Sequence, residues 1–159
     1  MDYVGISIEA IKNTAEEMLE KKIDYNFLGE KKSPLELENF AIIVGIAGQV
    51  AGQLIFGFNE EVVKLISAQM IGQAVTEMDE LALSAIAEFV NVVSGHVTID
   101  LVESGSKKLG MSPPSIIMGR DLKISTKIEP IKEIKMSIEN YGEVSIYIAL
   151  KERKEGGLK

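Results

Sequence analysis

Residues Asp79 to Thr98 read DELALSAIAEFVNVVSGHVT, which has the periodicity of one long amphipathic α-helix. At about 100° per residue, a set of apolar side chains falls on one face of this helix. These side chains are Ile86, Phe89, Val90, Val93 and Val97. The opposite face carries Ser84, Glu88, Asn91 and Gly95. The stretch therefore predicts a helix with one buried side and one polar side.

The polar side of this helix is the best candidate for a functional surface. Glu88 and Asn91 place a carboxylate and a carboxamide one helical turn apart. Gly95, about one turn further on, lacks a side chain and would let a partner approach the helix closely. Taken alone, a Glu and an Asn at this spacing are most often part of a solvated helix face. A longer motif is needed before they indicate a function.

Helix-capping and helix-breaking residues predict where the long helix begins and ends. Thr76 or Asp79 can cap its first turn, and the helix is expected to run toward Lys107-Lys108. Gly110 and Pro113-Pro114 forbid continuation beyond that point. A helix of about 25 to 30 residues would be about 40 Å long, so it should extend across the whole domain.

The other elements are two shorter helices and strands that form two hairpins. The predicted elements before the long helix are a helix from Val4 to Leu19, a weak strand from Asp24 to Gly29, a hairpin of Phe40 to Ala47 with Val50 to Phe58, and a helix between Asn59 and Gly72. Those after it are a short strand from Ser115 to Met118 and a hairpin of Ile131 to Ile138 with Val144 to Leu150. Strands and helices do not alternate regularly, as a doubly wound parallel sheet requires. The sequence therefore predicts an α/β fold in which a largely antiparallel β-sheet packs against long α-helices.

Length and charge predict a single domain followed by a short tail. A chain of 159 residues fits one domain with one core. We assign residues 1-150 to this domain. Residues 151-159 begin with five charged residues in a row and continue with Gly156-Gly157, so we expect them to form a flexible C-terminal tail.

Composition excludes several classes of function. The chain has 46% hydrophobic residues, as is typical of a globular protein. It has no cysteine, so it cannot form disulfides or a thiolate metal site, and a reducing cytoplasm is its expected location. A net charge of −7 repels phosphate backbones, so nucleic acid is a poor partner. The N-terminus carries acids where a secretion signal would be basic, and the longest uncharged apolar run, Phe40 to Gly48, is too short to span a bilayer. We therefore expect neither secretion nor membrane insertion.

The stretch from Asp79 to Asn91, followed by Pro113-Pro114 and by Gly119 to Ile124, resembles the CheX members of the CheC/CheX/FliY family of chemotaxis phosphatases. The family pattern is Asp or Ser, three residues, Glu, two residues, Asn, 22 residues and Pro, and this chain matches every position. The matching residues are Ser84, Glu88, Asn91 and Pro114. Ala87 stands where relatives often have glycine, a departure that concerns local packing and leaves the site residues unchanged.

The resemblance implies an enzyme that hydrolyses the aspartyl phosphate of CheY, a receiver domain that supplies its own Mg²⁺ and acidic residues. No cofactor would then be bound by this chain. A carboxamide both donates and accepts hydrogen bonds, so Asn91 would hold the attacking water in line with phosphorus. Glu88 would pair with a lysine of the receiver and orient Asn91. CheX relatives are homodimers with one motif in each subunit, so the resemblance also implies a homodimer.

Several alternatives stay open in the sequence. The same fold could serve as a non-catalytic adaptor that binds a receiver domain or a flagellar component. Ser84 either supports Glu88 or is merely a small exposed hydroxyl. Gly95 either makes room for the partner or allows another backbone to cross the helix. His96 is interpreted as a structural residue at the edge of the apolar stripe, and a second Glu-x-x-Asn match at Glu36 to Asn39 is interpreted as accidental because it enters a strand.

Overall fold

A computed structural model describes residues 1–153 of the chain. Its elements in chain order are α1 (Tyr3–Leu19), β1 (Ile23–Lys31), β2 (Leu35–Leu37), β3 (Phe40–Gly48), β4 (Val50–Phe58), α2 (Glu60–Ile71), α3 (Glu80–Glu103), β5 (Leu109–Met111), β6 (Ser115–Met118), β7 (Leu122–Ile124), β8 (Ile131–Ile138) and β9 (Gly142–Glu152). The predicted helices and both predicted hairpins are present.

Seven strands form the main sheet, in the order β1-β8-β9-β4-β3-β5, with β6 also paired to β3. Strands β2 and β7 form a separate two-stranded ribbon. Every pairing among the described strands is antiparallel. The predicted α/β fold with an antiparallel sheet packed against helices is confirmed.

The sheet buries a different set of residues on each face because side chains alternate along a strand. One face packs against the three helices, where residues such as Ile42, Phe56 and Ile146 join the main core. The other face carries Ala41, Ile55 and Tyr147, which are covered by the β2–β7 ribbon. All three helices therefore lie on one side of the sheet.

Helix α3 is the central helix of this layer, because it contacts α1, α2 and strands β3 and β5. Its apolar stripe is buried as predicted, with Ile86, Val90 and Val97 fully enclosed. By length and composition α3 could cross a membrane, the one such helix in residues 1–153. In this fold its apolar stripe instead supplies the core of the domain.

The predicted end of α3 near Lys107-Lys108 is wrong. The helix begins after Asp79, whose Oδ1 accepts a hydrogen bond of 2.9 Å from the Ala82 amide, and it ends at Glu103. Gly105 has a φ of +120° and donates to the Val102 carbonyl, while the Ser106 amide donates to the Leu101 carbonyl. This is a Schellman motif, which ends a helix where glycine takes a left-handed conformation. The helix is therefore about 36 Å long.

Three other differences from the sequence prediction concern strands. The early stop of α3 leaves Leu109–Met111 free to form β5, which pairs with β3. Strands β2 and β7 were not predicted. Strand β9 continues through Lys151 and Glu152, which pair with Ala51 and Val50, so two residues assigned to the tail belong to the sheet. The rest of the predicted tail, residues 154–159, lies outside the described residues.

Candidate functional site on the central helix

The polar side of α3 faces solvent, as the helical periodicity predicts. Ser84 and Glu88 are exposed, and Asn91 and Gly95 are partly exposed. Phe89 and Val90, between them in sequence, point into the core. The buried stripe fixes the rotation of the helix, so the four predicted site residues lie together on its outer surface.

Glu88 and Asn91 contact each other through their side chains. The Nδ2 atom of Asn91 donates to Oε1 of Glu88 over 3.5 Å. This distance is at the outer limit of a hydrogen bond, so the contact restrains the two groups only weakly. The pair therefore presents a carboxamide and a carboxylate side by side, on a rigid helix and in reach of a partner.

Gly95 leaves an open place on the same face. Among residues 1–153, no heavy atom outside the helix's own backbone and the two chain neighbours lies within 4 Å of a Cβ atom built on Gly95. The alternative explanation, that another backbone crosses the helix here, is therefore wrong. Packing within the part of the chain that the structure describes does not require a glycine at this position.

Three other features of the sequence, namely His96, Pro113-Pro114 and the second Glu-x-x-Asn match, lie apart from the Glu88–Asn91 pair. His96 is exposed, so its interpretation as a structural residue at the edge of the apolar stripe is wrong. Pro113-Pro114 lies between β5 and β6 and does not end the helix. The second Glu-x-x-Asn match begins in β2, and the Oδ1 atom of Asn39 accepts a hydrogen bond from the Glu60 amide. Its interpretation as accidental is supported.

Apolar residues on the exposed side of α3 are a feature that sequence reasoning missed. Leu81, Ile99 and Val102 have relative exposures of 54%, 49% and 41%. They fall on the same face as Glu88 because they lie seven residues before it and 11 and 14 residues after it. The outer face of α3 is therefore polar in its middle and apolar at both ends.

The site itself holds one carboxylate and one carboxamide. Within residues 1–153, no group of three or more His, Cys, Asp or Glu side chains could hold a metal ion. What the arrangement can do chemically is accept and donate hydrogen bonds, orient a water molecule and pair with a cation. Ser84 is one turn before Glu88, and both readings of its role stay open.

Comparisons with known proteins bear on this geometry. A curated relative, the CheY-P phosphatase CheX of Thermotoga maritima, is 34% identical over 110 residues, which cover 69% of this chain and 70% of the relative. A CheX structure from Desulfovibrio desulfuricans has a TM-score of 0.81 at 22% identity and covers 96% of this chain and 100% of the other.

A second similar structure is a complex. The CheX-CheY-BeF3-Mg+2 complex from Borrelia burgdorferi has a TM-score of 0.78 at 22% identity and covers 95% of this chain and 99% of the matched chain. At this identity the two structures share a fold. The model of the family described as chemotaxis phosphatase CheX matches residues 40–148, a span that includes β3, α3 and most of β9. With the sequence relative, this match shows that the chain belongs to the CheX family of chemotaxis phosphatases.

Proposed function

We propose that this protein is a protein-aspartyl-phosphate phosphatase that dephosphorylates the chemotaxis response regulator CheY or a related receiver domain. The observation that carries the proposal is the exposed Glu88–Asn91 pair on α3, in a chain of the CheX family. A curated relative is named as a CheY-P phosphatase, which supports the same substrate.

Asn91 is the residue to which we assign the attacking water. A protein catalyses phosphoryl transfer mainly by aligning the reacting groups and stabilising charge, because the reaction requires little covalent chemistry from the protein. The Asn91 carboxamide can accept one hydrogen bond from a water and donate another, which fixes the direction of the water's lone pair. An aspartate at this position would only accept, and it would bring negative charge toward the phosphoryl group. A neutral carboxamide suits both requirements.

Glu88 is the residue to which we assign orientation of the complex. Its carboxylate lies beside Asn91 and is exposed, so it can pair with a cation of the receiver. Fixing that ion pair fixes the angle at which Asn91 enters the receiver's site, and small errors in such alignment are costly in rate. Ser84 and Gly95 are assigned supporting positions on the same face.

The metal in this proposal belongs to the partner. The complex from Borrelia burgdorferi contains CheX, CheY, BeF3 and Mg²⁺. We assign Mg²⁺ to the receiver domain, and Asn91 and Glu88 then add only water positioning and orientation. This division supports our expectation that the chain binds no cofactor of its own.

Phosphate release from a phosphorylated receiver, in the presence of Mg²⁺ and with and without this protein, tests the proposal. We expect release to accelerate with catalytic amounts of the protein, because one molecule serves many receivers. Binding of the receiver without any acceleration would contradict the enzymatic function and establish the alternative, a non-catalytic adaptor of the same fold. Neither acceleration nor binding, with any receiver, would contradict both functions.

A further inference from the structure

The outer face of α3 carries apolar side chains at both ends of the Glu88–Asn91 pair. Leu81 lies before the pair, and Ile99 and Val102 lie after it. With 100° per residue, all of these side chains point within about 60° of the direction of Glu88. Each of the three apolar residues is more than 40% exposed. We call this face of the helix the α3 ridge and define it by Leu81, Glu88, Asn91, Ile99 and Val102.

Exposed aliphatic residues in this arrangement call for an explanation. A single exposed apolar residue is ordinary on a protein surface, whereas several in one line with functional residues are typical of an interaction site. The hydrophobic core does not include these exposed residues, because α3 contributes to the core through the opposite stripe of its surface. Their position on the ridge therefore indicates a partner.

The length of the ridge fits a particular kind of partner. From Leu81 to Val102 the helix rises about 31 Å, which is about the diameter of a small domain. A globular domain whose active site is centred on Asn91 would therefore reach both ends of the ridge. Gly95 lies between Asn91 and Ile99, and its open surroundings allow the partner's backbone to approach α3 closely there.

We propose that Ile99 and Val102, with Leu81 at the other end, are the apolar anchors that dock the phosphorylated receiver domain on α3. This inference rests on the proposed function, since the receiver is the partner whose active site Asn91 would enter. Ile99 and Val102 lie about 12 and 16 Å along the helix from Asn91, so they cannot touch the reacting atoms. They are positioning residues that set affinity for the receiver.

The position of the anchors predicts a particular kinetic effect. Anchors that are buried equally in the bound complex and in the transition state change KM and leave kcat unchanged. Truncating an interface residue that carries binding energy costs about fivefold or more in affinity, so removing two such residues should cost about tenfold or more. We therefore expect an Ile99→Ala, Val102→Ala double variant to raise KM about tenfold, and Ile99→Asp to raise it further, because a charge would be buried against an apolar patch.

The experiment measures kcat and KM for phosphate release, together with binding of a receiver loaded with BeF3 and Mg²⁺. Met118→Ala is the matched control, because Met118 is an apolar residue on β6 with 55% exposure and lies off the ridge. Circular dichroism and urea unfolding check that the variants fold, which we expect because the substituted side chains are half exposed. The control should leave KM and binding unchanged.

The outcomes separate this inference from the proposed function. A wild-type KM in the Ile99→Asp variant, with normal release by the wild type, would overturn the docking role and leave the phosphatase intact. The same result with a dimer converted to monomer would assign the ridge to a second copy of this chain, and would also overturn the docking role. A wild type that neither releases phosphate nor binds a receiver would contradict the proposed function itself, and the inference with it.

Discussion

The Nδ2 atom of Asn91 lies 3.5 Å from the Oε1 atom of Glu88, and both side chains stand on a helix whose other face is fully buried. The helix is held by its core stripe, so the two groups keep a fixed spacing while their direct contact stays weak. A partner can therefore replace that contact with its own hydrogen bonds at little cost. This arrangement is suited to a site that is completed only when another protein docks.

Asn91→Ala is expected to lower the rate of receiver dephosphorylation by about 10² to 10³, because it removes a preorganised group that holds the attacking water. The free energy of unfolding should change by about 0.5 kcal/mol or less, since alanine favours a helix and Asn91 is partly exposed. Phosphate release and urea unfolding measure the two effects. Asn13→Ala, at an exposed position on α1, is the control and should retain full activity. Near-normal activity of Asn91→Ala would contradict the water-positioning role.

Glu88→Gln is expected to raise KM for the receiver as well as to lower kcat, because it removes a charge at the docking surface and loosens the orientation of Asn91. The wild-type KM should also rise with salt, and this salt dependence should be weaker in the variant. Kinetics at two ionic strengths measure both effects. Glu61→Gln removes the same charge from an exposed position on α2 and should leave both constants unchanged. Identical salt dependence in wild type and Glu88→Gln would exclude an ion pair with the receiver.

Gly95→Ala is expected to increase stability and weaken docking at the same time. A Cβ at this position meets no side chain of the described residues, and alanine in a helix interior is favoured over glycine by about 0.5 to 1 kcal/mol. A partner backbone that approaches α3 here would meet the new methyl group, so KM should rise. Gly72→Ala, where φ is +87°, is the contrasting variant and should destabilise the chain. A more stable Gly95→Ala with an unchanged KM would show that the partner does not approach at this point.

Local patterns predict most of the fold because its main elements are long and periodic. The hairpin of β3 and β4 and the helices α1 and α2 follow from alternation, capping residues and glycine stops, all of which are local. The ribbon of β2 and β7 could not be predicted in this way. Its three-residue strands exist because Leu35 pairs with Ile124, and no local signal reports a contact between residues so far apart in sequence.

The end of α3 and its outer face show two further limits. Gly105 is itself a stop signal, because a Schellman motif ends a helix without proline, and the prolines at 113 and 114 lie well beyond the end of the helix. The polar pair was placed correctly because helical periodicity fixes which residues share a face. The sequence does not mark Ile99 and Val102 as exposed, since an aliphatic side chain in a helix is most often part of a core.

The raised pKa of Tyr147 predicts that the free energy of unfolding decreases at alkaline pH. Burial, and next the neighbouring Glu133, raises the pKa of Tyr147 to about 12, and its hydroxyl donates to Oε2 of Glu133 over 3.1 Å. The pKa of tyrosine in an unfolded chain is about 10. The Tyr147 hydroxyl therefore stays protonated to a higher pH in the folded state than in the unfolded state. The contribution of Tyr147 to the free energy of unfolding is complete below about pH 10 and is lost as pH rises toward 12. Unfolding by urea at several alkaline pH values should show a smaller loss for Tyr147→Phe than for wild type. Equal losses would contradict the assignment.

The free edge of β1 predicts the homodimer. Among the described residues, β1 ends the sheet order, and its Phe27 and Leu28 are each 52% exposed beside a register shift between Phe27 and Gly29. A nine-residue edge strand therefore carries an apolar patch. Edge strands of this kind pair readily with a second chain. Light scattering at micromolar concentration should give twice the chain mass of 17.4 kDa, and Leu28→Lys should shift the protein toward monomer.

Met118→Lys, at an equally exposed residue of β6, is the control for the dimer measurement. β1 lies at the opposite end of the sheet order from β3 and β5, the strands that α3 contacts. The monomeric variant should therefore keep its phosphatase activity. A wild-type mass near that of one chain would contradict the homodimer, and a dimeric Leu28→Lys would place the contact elsewhere.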